Sequence, residues 1–446
     1  MDQATYDALT RRLFTQNLFS IKLGLDRVQA AVRAAGTPQN AFDVVIVAGT
    51  NGKGTTSALM ASLLQRAGLR VGLFTSPHLV DVRERFRVDG VPLPRAQVAQ
   101  TLKAVLAWFA GADPADPSIE EGRRLATQWG WEGEPAIDEE ALTFFELTTL
   151  AGLCLFAQSG VDVVILEVGV GGRLDAVNAV EPLVSAITRV DMDHQKYLGD
   201  TLGEIAFEKA GVMRSGRPVV VAPQHPEAMA SIRQHAQRLR AGLIEVKGAQ
   251  APSGASSWLS GPFADNAAVA ARTARAVLEA RSMAPLAPEV EAQVLAAARW
   301  PGRRDAWLGK DGPWLFDVAH NPAGMKSLGA FLKAQTSRPP VGVMGVMADK
   351  DVDGMIETLV GWPQTQWVLT RAQTPRAMAA DELARRFDAA GLKVAVVAEA
   401  VPEAVKAARA LTSQQVLVCG SVYLLGEVLT ALDIDETFFA LRQQGR

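Results

Sequence analysis

Residues 44–56 read VVIVAGTNGKGTT. Val44, Val45, Ile46 and Val47 form an unbroken apolar run, the signature of a strand buried on both faces. Gly49, Thr50, Asn51, Gly52, Lys53 and Gly54 follow as a glycine-rich loop. The spacing predicts a helix from near Thr55, with Leu59, Met60, Leu63, Leu64 and Ala67 on one face and Gly68 as its stop. Strand, loop, lysine, hydroxyl and helix in this order make a phosphate cradle. The loop N–H groups and the helix N-terminus point at an anion, and Lys53 adds a full charge. A nucleoside triphosphate is the implied ligand. The stretch departs from the usual P-loop pattern at two positions: Val47 stands where the first glycine is expected, and Gly54 follows the lysine in place of Ser or Thr. The first hydroxyl comes one step late, at Thr55. The competing reading is an ordinary strand-to-helix turn with a chance lysine, and the order of the elements weighs against it.

Outward from this loop, apolar runs alternate with helical patterns. Strands are expected at 44–48, 71–74, 163–168, 184–188 and 218–222, with helices such as 141–159 and 202–210 between them. A second series follows Trp300-Pro301-Gly302-Arg303, with strands at 314–318, 341–346, 367–370, 394–397 and 416–419. This alternation predicts an α/β fold with mostly parallel sheets. The domain boundary is expected near 298–303, where an alanine-rich helix meets a Pro-Gly pair that would also serve as a hinge. Residues 111–140 are dense in Asp, Glu, Gly and Pro and read as an insertion or long excursion.

The chain has 446 residues, which is long for one core and points to two domains. Its net charge of −3 leaves no basic footprint for nucleic acid. No apolar run reaches the roughly 20 residues that span a bilayer, and the N-terminus lacks the apolar core of a signal peptide. Cys154 and Cys419 read as reduced core residues, which suits the cytoplasm.

Phosphate chemistry calls for Mg2+, and Mg2+ calls for hard oxygen ligands at strand ends. Four stretches qualify: Thr75-Ser76-Pro77-His78-Leu79; Glu146 within LTFFELTTL; Glu167 within ILEVGVGGRLDAVN; and residues 191–209, DMDHQKYLGDTLGEIAFEK. For Glu146 the bland alternative is a solvated acid on an exposed helix face. For Glu167 it is a strand-end carboxylate that orients a neighbouring loop. Of the five histidines, His194 and His320 follow strands and are the candidates for chemistry. His225 and His235 lie in a polar helical region and read as surface residues.

The stretches GTNGKGTT, TSPHL, LTFFELTTLAG, LEVGVGGRLDAVN, the DxDH of DMDHQKYLG, IAFEKAG, WPGR, FDVAHNP, ADKD and GSVYLLG occur in this order. Together they closely resemble the folylpolyglutamate synthase/dihydrofolate synthase branch of the Mur ligase family, over about residues 20–430. The late hydroxyl at Thr55 is itself a likeness to the folate branch, which has Lys-Gly-Ser/Thr. The resemblance implies a P-loop Mur-ligase-like central ATPase domain with the pterin site over 1–299. It implies a smaller Rossmann-like α/β glutamate-ligase domain over 300–446. It places Lys53 on the β/γ-phosphates and Thr55 near the metal. Ser76 matches a ligand of the first Mg2+, Glu146 a carboxylate shared between metals, and His194 a ligand of the second. Lys209 matches a lysine carbamylated in this family, which becomes a carboxylate-like metal ligand; pairing with Glu208 or another acid is the plain alternative. Asn266 matches an adenine-side asparagine, although Phe263-Ala264-Asp265 before it depart from the His-Gln pair of many relatives. Arg303 matches a nucleotide contact, Asp317 and His320 match nucleotide- and glutamate-side contacts, and Ser421 matches a glutamate-side residue. Segments 21–28 and 76–90 match the pterin side, where Arg83, Arg85 and Arg87 alternate. For these arginines a solvated strand edge is the competing reading.

The implied reaction is ATP-dependent amide formation through an acyl phosphate, with ADP and then phosphate released. The implied cofactors are ATP and Mg2+ at two sites, with K+ as an optional further cation. The implied partners are small molecules (dihydropteroate or folates, L-glutamate, ATP), acted on by a cytoplasmic monomer. Closure of the second domain over the first would exclude water from the acyl phosphate. Two other readings remain: a Mur-type ligase acting on a murein precursor, and a P-loop NTPase that serves as a switch. The Lys53-Gly54-Thr55 order argues against the first, and a second α/β domain bearing His320 argues against the second.

Overall fold

The computed structural model describes residues 3–15, 22, 24–110, 117–133, 142–248, 259–334, 341–434 and 436–441. They divide into two compact units. Unit 1 comprises Met1–Ser76, Val82–Ala249 and Asp265–Leu295; unit 2 comprises Pro77–Asp81, Gln250–Ala264 and Ala296–Arg446. No helix among the described residues is long and apolar enough to cross a membrane.

Unit 1 is built on strands β1 (Asp43–Ala48), β2 (Val71–Phe74), β3 (Phe86–Val88), β4 (Val91–Pro92), β5 (Val163–Glu167), β6 (Val184–Ile187), β7 (Pro218–Val221) and β8 (Gly242–Glu245). They form one sheet in the order β4-β3-β2-β5-β1-β6-β7-β8. The run from β2 to β8 is parallel, and β3 and β4 add antiparallel strands at one edge. The strand that enters the glycine-rich loop therefore sits centrally, between β5 and β6. Its residues Val45, Ile46, Val47 and Ala48 are completely buried, as a strand covered on both faces requires. The C-terminal ends of β2, β5, β1 and β6 lie side by side, which is where an open parallel sheet gathers ligands.

Unit 2 carries β9 (Asp305–Gly309), β10 (Gly312–Phe316), β11 (Val341–Met344), β12 (Gln366–Leu369), β13 (Val394–Val397) and β14 (Val416–Cys419). Their order is β13-β12-β11-β14-β10-β9. All neighbours are parallel except β9, which pairs antiparallel with β10. Helices cover both faces, with Leu315, Leu369 and Leu417 in one core and Trp314, Val368 and Val416 in the other.

Several expectations from sequence are corrected. Strands β3, β4, β8 and β9 went unread: β3 and β4 have three and two residues, and Gly, Asp or Glu interrupts the apolar run in β8 and β9. Of segment 111–140, residues 111–116 and 134–140 lie outside the described residues. Between them Pro117–Gln128 is a helix packed on the helix Arg95–Phe109. Ile119, Ala126 and Trp131 are buried, so this stretch has a core-facing stripe that its polar composition obscures. Arg83, Arg85 and Arg87 do not line a solvated edge; all three are buried. Residues Val82–Arg85 form a 3-10 turn, Arg85 lies 5.0 Å over the Phe144 ring, and Arg87 donates to the Thr75 hydroxyl at 3.2 Å and to the Glu84 carbonyl. His225 is exposed, but His235 is buried edge-on against Phe207.

Candidate active site

The glycine-rich loop leaves β1 at Gly49 and enters the helix Lys53–Arg66 at Gly52, two residues earlier than the spacing suggested. Gly49 has φ +145° and Gly52 φ +89°, conformations that favour glycine. A Cβ at Gly49 would run into the Thr188 side chain, and one at Gly52 into the Asn266 carboxamide. The loop is thus pressed between the end of β6 and the helix Pro262–Ala280, and Asn266 does sit beside it. Thr50 donates its hydroxyl to the Asp191 carbonyl at 3.0 Å and accepts from the Asp191 N–H at 3.1 Å. Asn51 donates to the Asp191 carboxylate at 3.0 Å. These bonds brace the loop against the segment that follows β6.

The helix Lys53–Arg66 begins with no side-chain cap. Its first N–H groups have no intrahelical acceptor, so an anion can take them. Lys53 bends back, its Nζ donating to the carbonyls of Gly49 at 3.0 Å and Thr50 at 3.2 Å. Thr55 is buried in the first turn.

Lys209 reaches the same place from the C-terminal turn of the helix Leu202–Ala210. Its Nζ donates to the Gly49 carbonyl at 3.0 Å, and the residue is 3% exposed. Glu208 pairs with Arg173 at 2.8 Å, while the Lys209 amine goes to the Gly49 carbonyl. Burial and the nearby Lys53 charge push the Lys209 amine down to about 7, against the opposing pull of Asp193, Asp175 and Asp191.

Glu167 and Glu146 are both buried. Glu167, at the end of β5, accepts from the Ser76 N–H at 3.0 Å; it orients the neighbouring loop. Glu146 is 4% exposed, which disposes of the solvated-face alternative. It is the third residue of the helix Phe144–Gln158 and closes a capping box with Thr143. Its Oε2 accepts from the Thr143 N–H at 2.8 Å and hydroxyl at 2.9 Å, and its Oε1 from Arg27 Nη2 at 2.9 Å. Both partners were missed from sequence, although T-x-x-E at 143–146 is a legible capping signature. Asp175 was also missed. It accepts from the N–H groups of Gly169, Val170 and Val177 at 2.9–3.1 Å and so fixes the GVGG turn. Burial pushes its carboxyl up to about 6 against those bonds.

His194 adopts φ +54° at the start of the short helix Gln195–Leu198, with its side chain 37% exposed. Among the described residues no three His, Cys, Asp or Glu side chains stand close enough to hold a metal. The sequence-expected set does not need such a trio: it draws on the hydroxyls of Thr55 and Ser76, on Glu146 and His194, and on a modified Lys209. The hydroxyls and the carboxylate are hard oxygen donors of the kind Mg2+ takes, His194 adds an imidazole nitrogen, and a buried amine lowered to about 7 has a substantial neutral fraction at neutral pH, the form that reacts with CO2. The residues therefore fit a divalent cation.

Unit 2 arranges its own cluster at the ends of β10 and β14. Asp317 is buried and accepts from the N–H groups of Arg304 at 3.1 Å and Ala319 at 2.9 Å. Burial raises its carboxyl, while Arg303 and Arg304 pull it back. Arg303 thus lies within electrostatic reach of Asp317, on a turn where Gly302 has φ +73°. Arg304, unread from sequence, is the structural one of the pair. It donates to the carbonyl and hydroxyl of Ser260 and of Ser327 at 2.8–3.1 Å and stacks 4.1 Å over Phe263. His320 Nδ1 lies 3.0 Å from the Val318 carbonyl. Ser421 is buried and caps the helix Val422–Ala431 by accepting from the Tyr423 N–H at 3.1 Å.

Residues 303–422 match the family model described as "Mur ligase, glutamate ligase domain". A dihydrofolate synthase/folylpolyglutamate synthase of Escherichia coli is 34% identical, the match covering 94% of this chain and 94% of that protein. The chain belongs to the dihydrofolate synthase/folylpolyglutamate synthase family. Solved structures of this family agree in fold. Escherichia coli FolC in complex with DHPP and ADP aligns with a TM-score of 0.76 at 31% identity, over 97% of this chain and 99% of that one. The Yersinia pestis bifunctional enzyme complexed with AMPPNP and Mn ion aligns at 0.75 and 33% identity, over 97% and 100%. The chain spans only 50% of a longer relative from Haloferax volcanii, a bifunctional folylpolyglutamate synthase/dihydropteroate synthase that is 33% identical.

Proposed function

We propose that this ligase joins L-glutamate to the carboxylate of dihydropteroate, to the γ-carboxylate of a tetrahydrofolate, or to both, with ATP as the activating substrate. The observation that carries the reading is the uncapped start of the helix Lys53–Arg66, with two lysines, Lys53 and Lys209, turned to the Gly49 carbonyl. Such a cradle is made for polyphosphate. Residues 1–299 are the ATP- and pterin-binding part, and 300–446 the glutamate-ligase part.

The loop N–H groups and Lys53 hold the phosphates. Thr55, Ser76, Glu146, His194 and carbamylated Lys209 would hold Mg2+ at two positions, with K+ as an additional cation. Bound Mg2+ supplies charge neutralisation where a carboxylate meets a triphosphate. The pterin acid attacks the γ-phosphate, ADP leaves, and the glutamate amine then attacks the acyl phosphate as inorganic phosphate departs. Asn266, Arg303 and Asp317 serve the nucleotide, His320 and Ser421 the glutamate side, and Arg83 the pterin side. Glu167 and Asp175 fix the turns that carry these groups. The working form is a cytoplasmic monomer.

The test supplies ATP, Mg2+ and L-glutamate with either dihydropteroate or tetrahydrofolate and follows ADP and the new amide. Glutamate-dependent ADP release with at least one pterin is expected. Release with neither overturns the proposal.

A further inference from the structure

The surroundings of Glu146 hold more than a metal-side carboxylate needs. An ionised carboxylate offers about four lone-pair sites, two on each oxygen. Thr143 fills Oε2 with two donors, at 2.8 and 2.9 Å. A cation must therefore approach Oε1, where Arg27 Nη2 already takes one of the two sites at 2.9 Å and sets a positive charge beside the other.

The two partners are held very differently. Thr143 is buried, and its bonds to Glu146 are the helix cap itself. Arg27 rises from the helix Asp26–Ala34 with 28% of its side chain exposed. It grips the carboxylate by one prong. Its Nε is buried with no hydrogen-bond partner among the described residues, and Nη2 reaches the Lys22 carbonyl only at 3.4 Å. The strong arginine–carboxylate geometry is a two-pronged fork; a single prong on a partly exposed side chain is exchangeable. A buried carboxylate nonetheless needs a counter-charge whenever it is ionised.

We propose that Arg27 is an exchangeable counter-ion: it neutralises Glu146 until a divalent cation arrives and replaces it at Oε1. This rests on the reading of Glu146 as a metal-side carboxylate. Cation and guanidinium are both positive and repel when held on one oxygen, so the cation displaces the guanidinium while the capping box keeps the carboxylate in place.

The experiment titrates Mn2+ into the full chain with saturating AMPPNP and follows free Mn2+ by electron paramagnetic resonance, with thermal melting in parallel. Arg27→Gln is expected to bind Mn2+ about three- to tenfold more tightly than the wild type, because the competitor is gone. Its melting temperature is expected to fall without Mn2+ and to return to the wild-type value when Mn2+ saturates. Unchanged or weaker Mn2+ binding, or a melting deficit of equal size with and without Mn2+, overturns the exchange and leaves a fixed structural ion pair. Glu146→Gln separates the two levels. If it binds Mn2+ like the wild type, the metal reading of Glu146 falls and the proposal with it. If it loses Mn2+ while Arg27→Gln gains nothing, that reading stands and the exchange alone fails.

Discussion

Lys209 shows how much one side chain can carry. Burial has driven its amine down to about 7 from an ordinary 10.5, so folding costs most where the group must be charged. The sign follows from proton counts. Between about 7 and 10.5 the unfolded chain holds a proton on Lys209 that the folded chain does not, so stability rises with pH across that window. The penalty is fully present below it. Wild type should therefore gain stability relative to Lys209→Met as pH rises from 7 to 10. Denaturant melts without bicarbonate check this; parallel pH profiles would contradict it. Lys209→Ala should lose ligase activity and regain part of it with added short carboxylates, and full activity without them would exclude the carbamate role. Glu146 calls for a different variant. Alanine would remove both the cap and the charge, whereas Glu146→Gln keeps a side chain that can close the capping box. Glu146→Gln should fold normally, by circular dichroism and melting, while Mg2+-dependent turnover drops more than about tenfold.

At the scale of elements, close approach decides what is tolerated. Gly49 lies in a left-handed conformation against Thr188. Gly49→Ala should abolish nucleotide binding measured by calorimetry, since the loop must shift to admit the methyl group. Gly122 brings its helix onto the helix Arg95–Phe109, and a Cβ there would run into the Lys103 carbonyl and the Ala107 side chain. Gly122→Ala should destabilise unit 1 by about 1–3 kcal/mol in denaturant melts. The same contact explains why 111–140 misled the sequence reading. Its Asp, Glu, Gly and Pro content signals a loop, but Ile119, Leu125, Ala126 and Trp131 are enough to dock one short helix. Lys103 and Glu121 then pair at 2.6 Å across the contact.

At the scale of the molecule, each unit has its own sheet and its own buried thiol. Cys154 lies in unit 1 and Cys419 in unit 2, and burial pushes both thiols well up. A thiol reagent should find neither cysteine in the native protein, and pulsed labelling during unfolding should expose each as its own unit opens. Rapid labelling of either native cysteine would contradict the buried assignment. The two sheets were legible because their central strands are unbroken Val, Ile and Leu runs, as at Val44–Val47 and Val416–Val418. The edges were not: β4 has only two residues, and β8 reads GLIE, with just two apolar residues between a glycine and a glutamate.

The sequence by itself determined the α/β class, the central strand and its glycine-rich loop, the order of the motifs and the family. These depend on local apolar periodicity and on short runs of fixed residue types, both written directly in the chain. It also singled out Glu146, Glu167, Lys209 and Asp317 as residues to watch. Only the tertiary structure decided what each of them touches. Arg27 meets Glu146 across 119 positions and Lys209 meets Gly49 across 160. Pairings at such separation are set by how helices and strands pack. The downward shift of the Lys209 amine likewise follows from burial, which packing creates and no local pattern encodes.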